Sequence, residues 1–308
     1  MMISRYRILF FITLLTLLSI ICYYWTFDES KIRIEKDFEE NTYRHECMQV
    51  YKKLRNPNES LIFRPPLKRP PDDMLNDFQQ HGDMRITKYF YFDDSYSDSG
   101  LNKDNSKQIP LISKREMETY RIKVRNNEPL GYGDKVLNLK SFEYKEYIKD
   151  KSVAVIGTVM PWIEAIASEV GASRVTTLDY TRKKYEESGF EWIHVYDFFD
   201  HALETREIEN FDAAISFSSI EHAGLGRFGD ALSPYGDVDA VKQVHCMLKP
   251  GGLFLLGLPS SHDGSSFIEF NAHRYYGKKR LDLLLKDWSL LEVVRSTDAA
   301  QAIYVLRK

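Results

Sequence analysis

Apolar residues are spaced differently in successive parts of this chain, and the spacing divides it. Ile8 to Phe27 (ILFFITLLTLLSIICYYWTF) is a charge-free apolar run, long enough at about 1.5 Å per residue to cross roughly 30 Å of hydrocarbon. Residues 28 to 71 are charged and then proline-rich (NPNES, FRPPLKRPP), with little sustained apolar period, the pattern of a stem. Residues 72 to 150 form an N-terminal extension or lid that mixes aromatics with the polar stretch DDSYSDSGLNKDNSKQ, read as an exposed loop. Within it, LISKREMETYRIKVRN predicts a helix that leads into the main domain or covers it.

From Lys151 onward, short β-branched runs alternate with helical periods, which predicts a parallel sheet covered on both faces. The predicted strands are Ser152 to Ile156, Arg174 to Leu178, Glu191 to Tyr196, Ala213 to Phe217 and Leu253 to Leu258. Between the first two, Pro161 suits a first helical turn, and Trp162, Ile163, Ile166, Ala167 and Val170 share an apolar face that stops at Gly171. Further helices are expected over Asp237 to Leu248 and Arg280 to Asp287. Trp288 to Arg295 and Ala302 to Arg307 read as an antiparallel hairpin closing the sheet.

The flanks of the first apolar run orient it. Arg5 and Arg7 precede it, Asp28 and Glu29 follow, and Tyr23, Tyr24 and Trp25 lie at interface depth. A short cytosolic tail (residues 1 to 7), a transmembrane anchor (8 to 27) and a body on the far side follow from the positive-inside rule. YYWTFDES offers no small-residue cleavage site, so the run reads as an anchor, not a cleaved signal. Asn58-Glu59-Ser60 is a glycosylation sequon, consistent with a body in the lumen of the Golgi or endoplasmic reticulum. The expected topology is single-pass, type II. With 42 basic and 45 acidic side chains and a net charge of -3, the chain lacks a nucleic-acid footprint. Its 3 cysteines exclude a disulfide-stapled scaffold. A bridge between Cys47 and Cys246 is open to the chain in an oxidising lumen, but Cys246, in the apolar stretch VKQVHCML, reads as a buried thiol.

Candidate chemistry clusters after the predicted strands. VAVIGTVMPWIEA follows the strand–turn–helix order of a cofactor turn, with Gly157, Val159 and Pro161 where such turns carry glycines. Asp179 ends the second strand, Asp197 follows the third in HVYDFFD, and FDAAISFSSIEHAGLGRFGD precedes MLKPGGLFLLGLP. In these elements residues 151 to 308, about half of the chain, resemble the class I S-adenosylmethionine-dependent methyltransferase superfamily. More narrowly, the chain resembles an uncharacterised, nematode-rich domain-of-unknown-function family carrying a similar G-x-x-x-P-W-x-E turn. The resemblance implies an α/β, Rossmann-like methyltransferase sheet, mostly parallel with a C-terminal antiparallel hairpin, here behind an N-terminal transmembrane helix and stem. It also implies S-adenosylmethionine as cofactor, held by Gly157, Thr158 and Glu164, with Asp179 on the ribose hydroxyls and Asp197 on the adenine amine. The residues themselves leave alternatives open. Pro161 forbids a positive φ, and Val159 sets a branched side chain where close approach is needed, so the turn holds the cofactor differently or is empty. Glu164, in the first helical turn, also reads as an acid that complements the helix dipole.

Methyl transfer to a hydroxyl needs a base. Glu221 and His222 follow the fourth strand, and His262 and Asp263 follow the fifth, at the edge where open α/β sheets carry their sites. His222 or His262 is the expected general base. No metal site is expected, because these groups and His273 lack close ligand spacing. Arg274, Lys278, Lys279 and Arg280 read as a solvated helix start. The expectation is therefore a membrane-anchored, methyltransferase-like protein of the secretory pathway acting on a glycan hydroxyl or a small-molecule acceptor. The alternatives are a catalytically inactive relative, or a lumenal glycosyltransferase using Asp237-Val238-Asp239 to hold a metal and nucleotide diphosphate.

Overall fold

The computed structural model describes residues 39–94, 109–261, 263–295 and 301–308. It divides into two compact units, one up to Gln49 and one from Val50 to Lys308. The described part of the first is helical, and that helix, α1, continues to residue 55. The predicted span Ile8 to Phe27, His262 and most of the polar loop lie outside the described residues. Among the described residues no helix is long and apolar enough to cross a membrane.

In the second unit the strands are β1 (Met84–Tyr89), β2 (Leu111–Ile112), β3 (Ser152–Ile156), β4 (Arg174–Asp179), β5 (Lys184–Tyr185) and β6 (Phe190–His194). They are followed by β7 (Phe211–Phe217), β8 (Leu248–Pro259), β9 (Ser266–Phe270), β10 (His273–Tyr275), β11 (Ser289–Arg295) and β12 (Gln301–Arg307). The helices after α1 are α2 (Asp72–Phe78), α3 (Lys114–Arg125), α4 (Val136–Glu143), α5 (Trp162–Val170), α6 (Val195–Thr205), α7 (Gly236–Met247) and α8 (Lys278–Leu284).

The main sheet has the order β11-β12-β8-β7-β3-β4-β6. Its pairs are parallel from β6 through β4, β3 and β7 to β8, and antiparallel from β8 to β12 to β11. This is the mostly parallel methyltransferase-like sheet with an antiparallel hairpin that the resemblance implies. Central strands β3 and β8 are buried on both faces over Val153–Val155 and Leu253–Leu258, as parallel strands sandwiched between helices must be. Gly171, at φ 100°, ends α5 in the left-handed conformation that needs no Cβ.

One face of the sheet is covered by α3, α4 and α5, whose Met117, Val124, Leu137, Ile163 and Ile166 share a core with Val155, Ile215 and Leu255. The helix predicted as a lead-in or lid is thus core structure. It starts in a capping arrangement, Ser113 Oγ accepting the Glu116 N–H at 3.1 Å. A smaller sheet, β1-β9-β10, encloses its own core of Phe78, Met84, Leu225, Leu232, Ile268 and Phe270. Leu61, Phe63 and Leu67, from the segment read as a stem, pack against that core.

Local expectations change in several places. Strand three stops at His194, because its Nδ1 accepts the Tyr196 N–H at 3.1 Å and starts α6 there, so Tyr196 and Asp197 are helical. Lys249 to Gly252 lie within β8, where the register against β7 shifts. Cys246 is disulfide-bonded, which overturns the buried thiol: apolar burial is common to thiols and half-cystines, so local context did not separate them. Arg274 and Arg280 are not solvated but fully buried, because fully buried Asp237 supplies their counter-charge. Asp237 accepts hydrogen bonds from Arg280 and, at 3.1 Å, from the Tyr276 hydroxyl.

Candidate functional site

The strand order reverses beside β3, with β4 on one side and β7 on the other, so the turns after these strands open at a topological switch point. At the end of β3, Gly157 takes φ +60° and donates its N–H to the Leu178 carbonyl at 3.1 Å. A Cβ there would stand 2.0 Å from Ser219 Oγ, so both conformation and space require glycine. The next residue, Thr158, directs its N–H at Asp179 Oδ2, 3.4 Å away, and its hydroxyl donates to the Met160 carbonyl at 2.6 Å. Val159, expected to obstruct close approach, is 84% exposed.

Asp179 is engaged on both oxygens. Oδ1 accepts the Thr181 N–H at 3.2 Å, while Oδ2 lies 3.5 Å from the Lys183 ammonium. Lys183 also donates to the Thr158 carbonyl. Its side chain is only 4% exposed, against 14% for Asp179. Sequence reading missed Lys183; its one signal was a spacing of four residues from Asp179.

Glu164 lies beneath this turn. It is buried and accepts hydrogen bonds from Thr177 Oγ1 at 2.9 Å and the Tyr185 hydroxyl at 2.8 Å. Burial raises its carboxyl above the usual range, against the pull of Lys183. It fastens α5 to β4 and β5 from below. Asp197 is exposed in the first turn of α6, one helical step beyond the strand end where the resemblance sets the adenine contact. That strand end carries His194 instead, whose ring meets Tyr180 edge-on at 5.8 Å.

A second cluster forms after β7. Ser218, at φ 52°, donates its hydroxyl to Glu221 Oε1 at 2.6 Å. Glu221 is fully buried, its Oε2 has no hydrogen-bond partner among the described residues, and burial pushes its carboxyl up to about 7. His222 Nδ1 lies 2.6 Å from the Ala272 carbonyl. A carbonyl only accepts, so Nδ1 carries the hydrogen and Nε2 keeps its lone pair. Nε2 stands 3.8 Å from Glu221 Oε1. Burial lowers His222 to about 4, so its ring is neutral at physiological pH. Arg274 fixes the loop by donating to the carbonyls of Glu221 and Ala223 at 3.2 and 2.6 Å. Gln301, at the start of β12, approaches Ser218 Oγ at 3.5 Å; it too was missed, because only the sheet order brings β12 to this edge.

The structure therefore brings together Gly157, Thr158 and Asp179 in one group and Glu221 and His222 in another. Among the described residues no group of histidine, cysteine or acid side chains is arranged to hold a metal ion. Asp237 is occupied by arginines, and Asp239 is bonded to Lys53 at 2.6 Å.

Residues 150–305 match the family described as Caenorhabditis protein of unknown function, DUF268. The chain belongs to this family. No curated protein matches it. Among solved structures, it is similar to the Burkholderia thailandensis 1,6-didemethyltoxoflavin-N1-methyltransferase with bound S-adenosylhomocysteine, at 16% identity and a TM-score of 0.42, over 63% of this chain and 81% of that one. It is also similar to the N-methyltransferase NodS from Bradyrhizobium japonicum WM9 in complex with S-adenosylhomocysteine, at 13% identity and a TM-score of 0.38, over 63% and 98% of the two chains. A third is an S-adenosylmethionine-dependent methyltransferase from Mesorhizobium loti, at 13% identity and a TM-score of 0.39, over 56% and 98%. These scores are low, and the fold assignment rests on the strand order itself.

Proposed function

We propose that this chain is an S-adenosylmethionine-dependent methyltransferase of the secretory pathway, anchored by Ile8 to Phe27 as a single-pass type II protein and acting on a glycan hydroxyl. The observation that carries the reading is Asp179, at the end of β4, facing the Thr158 N–H of the turn after β3, at the switch point of a methyltransferase-like sheet. The residues present fit such a cofactor by type. Asp179 at the end of β4 is the acceptor type that ribose hydroxyls would donate to, and Gly157 gives the turn its left-handed bend against Ser219. Bound S-adenosylmethionine would supply the electrophilic methyl group.

The chain's own residues have separable tasks. Asp179 takes the ribose hydroxyls, and Gly157 and Thr158 form the wall of the turn. His222, held neutral with its Nδ1 hydrogen on Ala272, takes the proton of the acceptor hydroxyl at Nε2. Buried Glu221 stabilises the imidazolium that results, and Ser218 orients Glu221. Disulfide-bonded Cys246 supports an oxidising compartment, and the anchor and sequon support a lumenal body. The glycan acceptor rests on that topology alone.

Calorimetric titration of the full-length chain with S-adenosylmethionine and S-adenosylhomocysteine tests the reading, with UDP-sugars plus manganese as the comparison. Saturable binding of the methyl donor, abolished in Asp179→Ala, is expected. Binding of the UDP-sugar alone would overturn it. Protease digestion of the body in intact microsomes would overturn the topology. A second reading, a methyltransferase fold that no longer binds its cofactor, is favoured by Lys183 occupying the acceptors of the turn.

A further inference from the structure

We propose that Lys183 is an internal latch on the cofactor turn, which a nucleoside cofactor must displace before it binds. The inference rests on the methyl-donor reading above. The Lys183 ammonium donates to the Thr158 carbonyl and stands 3.5 Å from Asp179 Oδ2, so one cation engages both acceptors at the mouth of the turn. Lysine is almost never buried without a partner, and here the partners are the groups a ligand needs.

The backbone that carries Lys183 is pinned. Lys184 donates its N–H to the Pro110 carbonyl at 2.9 Å, and Glu186 donates its own to Ile112 at 3.0 Å, as β5 pairs with β2. The Glu186 carboxylate accepts the Lys114 N–H at 2.7 Å. The N-terminal extension thus aims the lysine into the site, and the side chain is left as the moving part, on a stem of four rotatable bonds.

Charge works in the same direction. Glu164, below the turn, is buried, which raises its carboxyl against the pull of Lys183, and Asp179 is the carboxylate within ion-pair distance of the ammonium. A cofactor bearing a sulfonium would carry the same sign of charge as the lysine, and its ribose would compete for an oxygen that already holds an ammonium. Displacement removes both penalties. Cofactor affinity is therefore set by how readily Lys183 leaves.

The test is calorimetry on the full-length chain, comparing the wild type with Lys183→Met, which keeps the apolar stem and removes the ammonium. Both S-adenosylmethionine and S-adenosylhomocysteine should bind about tenfold more tightly to the variant, the scale of a charge-assisted hydrogen bond. The sulfonium form should gain more. Wild-type binding that is unchanged or weakened in the variant overturns the latch and leaves the methyl-donor reading intact. Absence of binding to both proteins, each with an unaltered melting transition, overturns the latch and the methyl-donor reading together. A second measurement needs no variant: the rate at which an amine-acylating reagent labels Lys183, read by mass spectrometry. Labelling should be slow in the free protein and accelerate when S-adenosylhomocysteine saturates it. An unchanged or reduced rate overturns the latch.

Discussion

Glu221 and Asp237 are both fully buried acids in the stretch of chain that follows β7, and they behave in opposite ways. Asp237 faces Arg274 and Arg280, and these cations outweigh its burial, holding its carboxyl below the usual range. Glu221 has a serine hydroxyl and a neutral histidine beside it, and burial lifts it to about 7. Counter-charge, not depth, separates them. One acid is ionised and ties α7 to β10 and α8; the other is poised near neutrality at the edge of the sheet, where a proton can be exchanged.

The largest test of that contrast is Asp237→Ala. It leaves two buried guanidinium groups facing no carboxylate, and should cost about 3–5 kcal/mol in denaturant unfolding. A loss under 1 kcal/mol would mean that the clamp is not the stabilising element described here. Acid should reveal the same group. The folded carboxyl is depressed, so its contribution is present above the ordinary aspartate range and fades as pH falls through the folded value.

Next comes Gly157→Ala, at the turn packed against Ser219, whose neighbour Ser218 bonds Glu221. A Cβ at φ +60° and 2.0 Å from Ser219 Oγ combines left-handed strain with overpacking, so a loss of about 2–4 kcal/mol is expected by thermal melting. A near-neutral result would show that Ser219 yields easily and that the two halves of the site are uncoupled.

Glu221→Gln addresses the contrast from its other side. The folded carboxyl is raised from 4.5 to about 7, so the folded state binds the proton more tightly than the unfolded state. The contribution of Glu221 to stability should therefore decline as pH rises from about 4.5 to 7 and level off above, by up to about 3 kcal/mol. The amide variant lacks this decline and should be the more stable protein at pH 8. Parallel stability curves for the two proteins would sink the assignment. His222 acts in the opposite sense over nearly the same window: lowered from 6.5 to about 4, it costs stability as pH falls through that range, so the two contributions largely offset each other in the wild type, whereas the amide variant keeps only the His222 term and should gain stability as pH rises. The smallest effect is expected from Val159→Ala. Its side chain is 84% exposed, and stability should change by less than about 0.5 kcal/mol.

Much of the fold was legible because it depends on local pattern. Val153–Val155 and Leu253–Leu258 are continuous apolar runs that suit strands buried on both faces, Gly171 stops α5, and the closing runs read as a hairpin. The boundary at His194 was missed because its own side chain caps α6, a choice that apolar period does not record. α3 was legible as a helix but not as core, since its period shows an apolar face without naming what covers it.

The candidate site divides in the same way. Gly157, Asp179, Glu221 and His222 could be nominated from position after a strand, because side chains at the carboxyl ends of parallel strands share one edge whatever the loops do. What each group does there depended on neighbours distant in the chain. Lys183 engages Thr158, Ala272 orients His222, and Gln301 reaches Ser218. Arg274 and Arg280 changed from solvated cations to buried partners of Asp237. Periodicity and turn chemistry act over a few residues, so the chain alone settled the run of strands that build the main sheet, the helices α3, α5, α7 and α8, and their order. Ionisation, tautomer and counter-ion depend on burial and on charges met through space, so only packing could assign them.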